Sequence, residues 1–237
     1  MSKKYKGKTC AYCGKRKSTS TGDHVVAREF LPVEERGGLP KVPCCENCNN
    51  DKSIIEHYTT TILPFGSNTY YAGNMLRDYV SKRIERNKKL KRELNKLSGT
   101  VWAKSKNGLL IPHTTLPVKA EPIIKLINYI VRGLAYYHWG TIITGQYSID
   151  VWPAPLEQIM FFRRYVLSLS KENCITGNIG NGCIIYKCTR STDDPRISVW
   201  EVIFYNGLIM TGEGEGGRLR KIYFCVWVGP SDVIKAT

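Results

Sequence analysis

The sequence predicts an α+β protein in which a small metal-stabilised module precedes a larger domain of helices and antiparallel strands. Two Cys-x-x-Cys pairs stand near the start, amphipathic helical patterns fill the middle, and β-branched runs fill the last third. At 237 residues with 42% hydrophobic content, the chain is long enough to bury a core. We predict a module at 1–66, a basic helical linker at 67–100 and an α+β domain of unassigned role at 101–237.

The first predicted element is a structural zinc site. The two pairs are Cys10–Cys13 and Cys45–Cys48. Each pair offers two sulfurs from one tight turn, and four thiolates suit tetrahedral zinc. Cys44 adjoins the second pair, but only Cys45 and Cys48 have the two-residue gap, so we interpret Cys44 as a neighbour that fills space. So small a module lacks a large core, and zinc would supply much of its folding energy.

Helical patterns follow the second pair. Asn49 opens a segment that we predict to be helical as far as Tyr58, with Asn and Asp near its start, where they favour caps. Residues 74–97 have apolar residues at the spacing of three and four that is typical of an amphipathic helix. The opposite face of this helix is basic, and phosphate contact and a plain solvated face are equally good explanations. Its candidate nucleic-acid contacts are Arg83, Arg86, Lys88, Lys89, Lys91 and Arg92.

The remainder reads as helices followed by a small antiparallel sheet. Pro122 and Pro155 each stand where a proline can open a helix. Apolar runs at 183–188, 198–205, 208–210 and 222–228 predict strands, and Asn206-Gly207 predicts a hairpin between the second and third. Gly212–Gly217 reads as a flexible loop. The other four cysteines lie in mostly apolar surroundings and are predicted to be core thiols: Cys174, Cys183, Cys188 and Cys225.

Charge and the chain start predict the partner and the compartment. The formal net charge is +15 and the pI about 9.4, which a polyanionic partner explains best, and nucleic acid is the commonest such partner. A basic surface that only maintains solubility is the alternative. Residues 1–97 hold 20 Lys and Arg against 10 Asp and Glu, so the front carries most of this charge. The start has no apolar segment, and no apolar run is long enough to span a bilayer. We therefore expect a cytoplasmic protein with reduced thiols and no membrane partner.

An Asp-His pair lies between the two cysteine pairs. Asp23-His24-Val25-Val26 follows the first pair, and Asn49-Asn50-Asp51-Lys52 follows the second. With these motifs the sequence resembles the HNH endonucleases, the ββα-metal nuclease family, over about residues 9–58. The family pattern runs C-x-x-C, then D-H-[IV]-[IV], then C-x-x-C-[HN]-x-x-K.

The resemblance implies a role for each matching residue. His24 would be the general base that activates water, which suits a group with a pKa near working pH. Asp23 and Asn49 would hold Mg²⁺ or Mn²⁺ through hard oxygen ligands, and Lys52 would either contact phosphate or be a surface lysine. The activity implied is metal-dependent hydrolysis of DNA phosphodiester bonds. By analogy with the family, it would serve restriction or defence against foreign DNA.

One family feature is missing from this sequence. Most members carry an Asn before the second pair that orients the catalytic histidine, whereas residues 37–43 contain none. Either a backbone carbonyl orients His24, or the activity is weak, or the module only binds nucleic acid. His57, next to Glu56, is a secondary candidate near the site. Two alternatives therefore stay open: a non-catalytic zinc module that binds nucleic acid, and a nuclease subunit that acts only in a complex through a protein partner of the C-terminal domain.

Overall fold

The first part of the fold is an antiparallel pair of strands that leads directly into a helix. In the computed structural model, which describes residues 3–104, 107–166, 173–211 and 219–234, β1 (Thr19–His24) pairs with β2 (Lys41–Cys45). Helix α1 (Glu46–Ile62) begins at the next residue, so the predicted start at Asn49 is wrong by three residues. Cys45 has an extended backbone and occupies the N-cap position, so the first turn of the helix already precedes Asn49.

The basic segment forms two helical stretches, separated by a break at Asn87, rather than one continuous helix. Helix α2 (Tyr70–Met75) passes through a π-helical turn at Leu76–Val80 into α3 (Ser81–Arg86), and α4 (Lys88–Leu97) follows after a break. At the break, Asn87 leaves helical geometry and its side chain accepts a hydrogen bond from Leu90 N at 3.0 Å. The single helix predicted over 74–97 is therefore wrong, because Asn favours an N-cap over a helix interior.

A long helix forms the centre of the molecule. Helix α5 (Ala120–Trp139) confirms the helix predicted to open near Pro122, and it ends at Gly140 in the left-handed conformation. Its inward face is fully buried and includes Leu126, Ile130 and Leu134. The helix predicted to open at Pro155 is present as α6 (Leu156–Phe161), which continues into a π-helical turn at Phe162–Val166. The rest of that predicted helix lies outside the described residues.

Within the described ranges, the main sheet has six antiparallel strands. Its order is β5 (Tyr147–Pro155), β10 (Leu219–Pro230), β8 (Ser198–Phe204), β7 (Ile184–Arg190) and β6 (Ile175–Ile179), and β9 (Leu208–Thr211) also pairs with β10. The strands predicted from apolar runs are present, whereas β5 and β6 were not predicted. A separate hairpin, β3 (Gly99–Lys104) with β4 (Leu110–Thr115), precedes α5. The short helix α7 (Ser231–Ile234) follows β10.

The hairpin predicted at Asn206-Gly207 is wrong. Strands β8 and β9 do not pair with each other but lie in line along β10, Val202 opposite Phe224 and Leu208 opposite Ile222. Three consecutive residues with positive φ, Tyr205 to Gly207, form a bulge between them. Burial of the Tyr205 ring, whose hydroxyl donates to Phe30 O at 3.2 Å, holds the bulge in place. The predicted loop at 212–217 lies outside the described residues.

One hydrophobic core joins the metal module to the rest of the chain. A single cluster contains Cys10, Val25, Ile130 and Trp200, so it crosses the predicted boundary at residue 66. One close approach is at Gly133 of α5, where an added Cβ would lie 2.8 Å from a methyl group of Val25. The module therefore shares its core with α5 and the sheet.

The remaining sequence expectations concern thiols and membranes. Cys183, Cys188 and Cys225 are fully buried core thiols as predicted, whereas Cys174 is only half-buried. Burial raises the pKa of Cys183 and of Cys225 to about 12, so both stay neutral thiols. In the described ranges, no helix combines the length and apolarity that crossing a bilayer requires.

Candidate metal centre and active site

The four predicted zinc ligands come together at one point. The Sγ atoms of Cys10, Cys13, Cys45 and Cys48 all lie within 4.8 Å of one another, and those of Cys13 and Cys45 are 3.7 Å apart. A tetrahedral zinc with Zn–S bonds of about 2.3 Å places its sulfurs about 3.8 Å apart. The cluster therefore has the geometry to hold zinc. Across the ranges that the structure describes, no other set of three or more His, Cys, Asp or Glu side chains converges in this way.

Local backbone geometry explains why the pairs converge. In the first pair, Gly14 N donates to Cys10 O at 2.9 Å, and Gly14 takes the positive φ that this tight turn needs. In the second pair, Cys45 ends β2 and Cys48 lies in the first turn of α1. Cys45 N donates to Cys10 Sγ at 3.4 Å, which joins the two turns.

Cys44 is not part of the cluster. Its thiol is fully buried in the hydrophobic core and donates to Cys45 O at 3.2 Å. A hydrogen bond with Cys44 also lowers the pKa of Cys10 to about 4, so Cys44 does more than fill space. Among the cluster thiols, burial raises the pKa of Cys13 and of Cys48. Holding both as thiolates therefore requires a compensating cation, and zinc supplies one.

Tyr12 connects the cysteine cluster to Asp23. It lies inside the first pair, and its hydroxyl donates to Asp23 Oδ2 at 2.5 Å. The ring is buried and packs edge-on against Tyr129 of α5. Burial and the Asp23 charge raise the pKa of Tyr12 well above 10, so the phenol remains a neutral donor. Tyr12 thus links Asp23 to the cysteine cluster through one buried side chain, a role that no motif in the sequence indicates.

Lys52 is buried beneath Asp23 rather than exposed to a phosphate. Its side chain is 1% exposed, and its ammonium contacts Asp23 Oδ2 at 2.9 Å, His24 O at 2.7 Å and Glu56 Oε1 at 2.5 Å. Three acceptors match its three N–H donors. The predicted phosphate contact is therefore wrong, and so is its alternative, a surface lysine. The reason is that α1 packs this face against β1.

Removing the Lys52 charge should destabilise the fold. We expect Lys52→Met to lower the free energy of unfolding by about 3–5 kcal/mol, because it leaves two carboxylates close together without their shared cation. Urea unfolding measures this, with Lys82→Met on the exposed face of α3 as the matched control. A Lys52→Met protein as stable as wild type would show that the buried contacts contribute nothing.

Three other polar residues of α1 are candidates near the site, and they differ in position: Asn49, Glu56 and His57. Asn49 precedes Lys52 by three residues and Glu56 by seven, so helical spacing places it on the face that meets β1. Burial raises the pKa of Glu56 to about 7, against the opposing effect of Lys52. His57 is exposed, which does not favour its secondary role at the site.

His24 lines an open cleft that is strongly basic. The cleft has a volume of about 440 Å³, and Arg28, Arg36 and Lys41 line it with the imidazole. Burial lowers the pKa of His24, and the charges of Lys41 and Arg28 lower it further, so the ring is neutral at pH 7. Its Nδ1 is buried and has no hydrogen-bond partner among the described residues. The backbone carbonyl considered as a replacement for the missing Asn is therefore not found there.

The three cations of this cleft were missed in the sequence. Arg28 lies on a short 3₁₀ turn four residues after His24, and Lys41 faces His24 directly across the β1–β2 ladder. Arg36 adds its guanidinium after a second 3₁₀ turn, where it donates to Leu31 O at 3.1 Å. These residues are scattered along the chain, so their convergence has no signal in spacing.

The predicted cations of α3 and α4 are mostly exposed. Arg83 is the exception, because it is half-buried and donates to Thr60 O at 3.3 Å. Burial lowers its pKa, and its position makes it an anchor between α3 and α1 rather than a free phosphate contact. Contact with nucleic acid stays a prediction for the exposed residues: Arg86, Lys88, Lys89, Lys91 and Arg92.

Comparison with known proteins adds no assignment to this chain. No protein-family model, no curated protein and no solved structure matches it. The functional argument therefore depends on the residues and their arrangement.

Proposed function

We propose that the protein is a metal-dependent endonuclease of the HNH type that hydrolyses DNA phosphodiester bonds, in restriction or defence against foreign DNA. The observation that carries the proposal is the position of His24 in a cleft with three cations, next to Asp23. Strand, strand and helix follow one another as the family resemblance implies, with the cysteine cluster at the strand–helix junction. A phosphodiester is the substrate class that a base surrounded by fixed positive charge suits best.

The chemistry starts with substrate positioning. Arg28 and Arg36 would bind phosphate oxygens through planar, multiply donating groups, and Lys41 would add a point charge. His24 would then take a proton from the attacking water, which a neutral imidazole with a lowered pKa performs at pH 7. Hydrolysis by water requires no covalent intermediate, and no hydroxyl, thiol or carboxylate side chain lines the cleft among the residues described.

The donor set near His24 fits a hard divalent ion. Asp23 Oδ2 accepts from Tyr12 and Lys52, and this leaves Oδ1 as the carboxylate oxygen for a metal. Asn49 would supply an amide oxygen from the face of α1 that also carries Lys52, and waters would complete the coordination shell of the metal. When bound, Mg²⁺ or Mn²⁺ neutralises charge that develops on the phosphate. The Lys52 ammonium holds the Asp23 carboxylate in one orientation.

Two observations favour a second candidate, a zinc module that binds nucleic acid without cleaving it. Within the described parts of the chain, the His24 Nδ1 has no partner to orient the ring, and the Lys52 ammonium beside Asp23 opposes a second cation. In this alternative the basic cleft binds a phosphate and nothing further occurs. A nuclease subunit that is active only with a protein partner of the C-terminal domain is the third candidate.

A metal titration of plasmid nicking separates these candidates. We expect Mg²⁺ or Mn²⁺ to activate, and EDTA to stop nicking before it removes thiolate-bound zinc. Asn49→Ala should raise the metal concentration needed, Asp23→Ala should do so more strongly, and Asn49→His should be tolerated best.

Asn47→Ala, on the same turn of α1 and outside the proposed ligand set, is the matched control. If Asn49→Ala titrates like wild type, the second ligand lies elsewhere. If the wild-type protein binds DNA but never nicks it with any divalent ion, the binding module is the better account.

A further inference from the structure

A second cleft adjoins the one that contains His24. It has a volume of about 410 Å³, within the range of clefts that hold ligands of nucleotide size. Leu39 and Lys41 line both clefts, so the two are neighbours beside β2, and we refer to them together as the groove. None of the residues that line either part is acidic. The groove therefore extends the positive surface around His24 in one direction.

The second cleft combines lysines with tyrosines. Lys4 and Lys8 add two cations, and the Tyr5, Tyr136 and Tyr137 rings add three aromatic side chains. A groove whose purpose was only to attract the outer phosphates of a duplex would need cations alone. Aromatic rings between cations are instead the composition of surfaces on which unpaired bases stack while the backbone follows the positive charge.

The positions of the rings suit this use. Tyr137 is at the end of α5 and is 51% exposed, whereas Tyr5 and Tyr136 are half-buried and held more rigidly. The Tyr5 ring lies directly against Gly22 of β1, where an added Cβ would be 2.4 Å from the ring. Gly22 therefore leaves space for an aromatic ring one residue before Asp23-His24.

We propose that this groove binds an unpaired stretch of nucleic-acid strand, with Tyr137 stacking on a base while Lys8 and Lys41 contact the backbone beside the His24 cleft. The inference deepens the proposed function, on which it rests for the location of the scissile phosphate. It names single-stranded segments, rather than continuous duplex, as the preferred substrate class. In a duplex the bases already stack on one another, and their faces are not available to Tyr137.

The test is a binding experiment that does not depend on cleavage. Fluorescence anisotropy of a labelled oligo-dT strand and of a duplex is measured without Mg²⁺ or Mn²⁺, in the His24→Ala background. We expect tighter binding of the single strand and a loss of about fivefold or more when Tyr137→Ala is added. Duplex affinity should change by less than about twofold, since a duplex offers no base to stack. Tyr137→Phe should restore binding, because it keeps the ring.

Two controls make the result specific. Tyr70→Ala removes a 77% exposed tyrosine on α2 outside the groove and should change neither affinity. Lys8→Ala should weaken binding more than Lys6→Ala, which removes the same charge outside the groove. The proposal is overturned if Tyr137→Ala leaves single-strand affinity unchanged or lowers both affinities equally. Absence of nicking in the wild-type protein would count against the nuclease and leave this binding result intact.

Discussion

His24→Ala is expected to reduce the rate of DNA cleavage by about 10²–10⁴, the usual cost of losing a general base. Affinity for DNA should change little, because Arg28, Arg36 and Lys41 remain in the cleft and supply the phosphate contacts. Single-turnover nicking of supercoiled plasmid measures the rate, and anisotropy without divalent ions measures the affinity. Together the two measurements separate the contribution of the imidazole from that of the surrounding charges.

His113→Ala is the matched control for this change. His113 is an exposed histidine on β4 and does not line the cleft, so its removal should affect neither rate nor affinity. A His24→Ala protein that nicks at the wild-type rate would contradict the assignment of His24 as the base. A protein that loses rate and affinity together would point to a structural role for the ring.

Cys10→Ser and Cys45→Ser are expected to release zinc and destabilise the whole protein. Structural zinc sites contribute an apparent 10–16 kcal/mol in small modules, so loss of one ligand has a large effect. The module boundary predicted from the sequence at residue 66 implies that only the module would unfold and that much of the C-terminal domain would stay folded. The structure predicts otherwise, because Cys10 and Val25 share one buried cluster with Ile130 of α5 and Trp200 of β8. We expect one cooperative unfolding transition at lower temperature.

Metal analysis and thermal unfolding are measured on the same samples. Cys174→Ser is the control, since this thiol is half-buried and lies outside the cluster. It should keep one zinc per chain and an unchanged transition. Full zinc retention in both ligand variants would contradict the four-cysteine site. Two separate transitions, with the second unchanged, would show that the module and the remaining fold are independent.

The sequence predicted the parts of the site that have fixed spacing. Two pairs with a two-residue gap indicated the cysteine cluster, because ligand spacing follows from a tight turn. The helix opened near Pro122 and the strand beginning at Ser198 were equally accessible, since their apolar runs are long. Local chemistry was sufficient in these cases.

What the sequence missed depends on tertiary contacts. Lys52 was weighed as a phosphate contact or a surface lysine because lysine is rarely buried, yet packing of α1 on β1 places it between two carboxylates. Asn206-Gly207 has the composition of a hairpin turn, but β10 pairs with both flanking strands and turns it into a bulge. The cations of the cleft come together only when β2 pairs with β1, so no pattern along the sequence predicts their convergence.

The central claim is that this protein hydrolyses phosphodiester bonds with water activated at His24. Cleavage of DNA by the zinc-loaded protein with Mn²⁺ in water enriched in oxygen-18, followed by mass spectrometry of the products, tests it directly. The account predicts cleavage with one oxygen-18 atom in each new terminal phosphate, and labelled product from His24→Ala that forms about 10²–10⁴ more slowly. Intact DNA under all divalent ions, or cleaved product whose terminal phosphate carries no label, would contradict it.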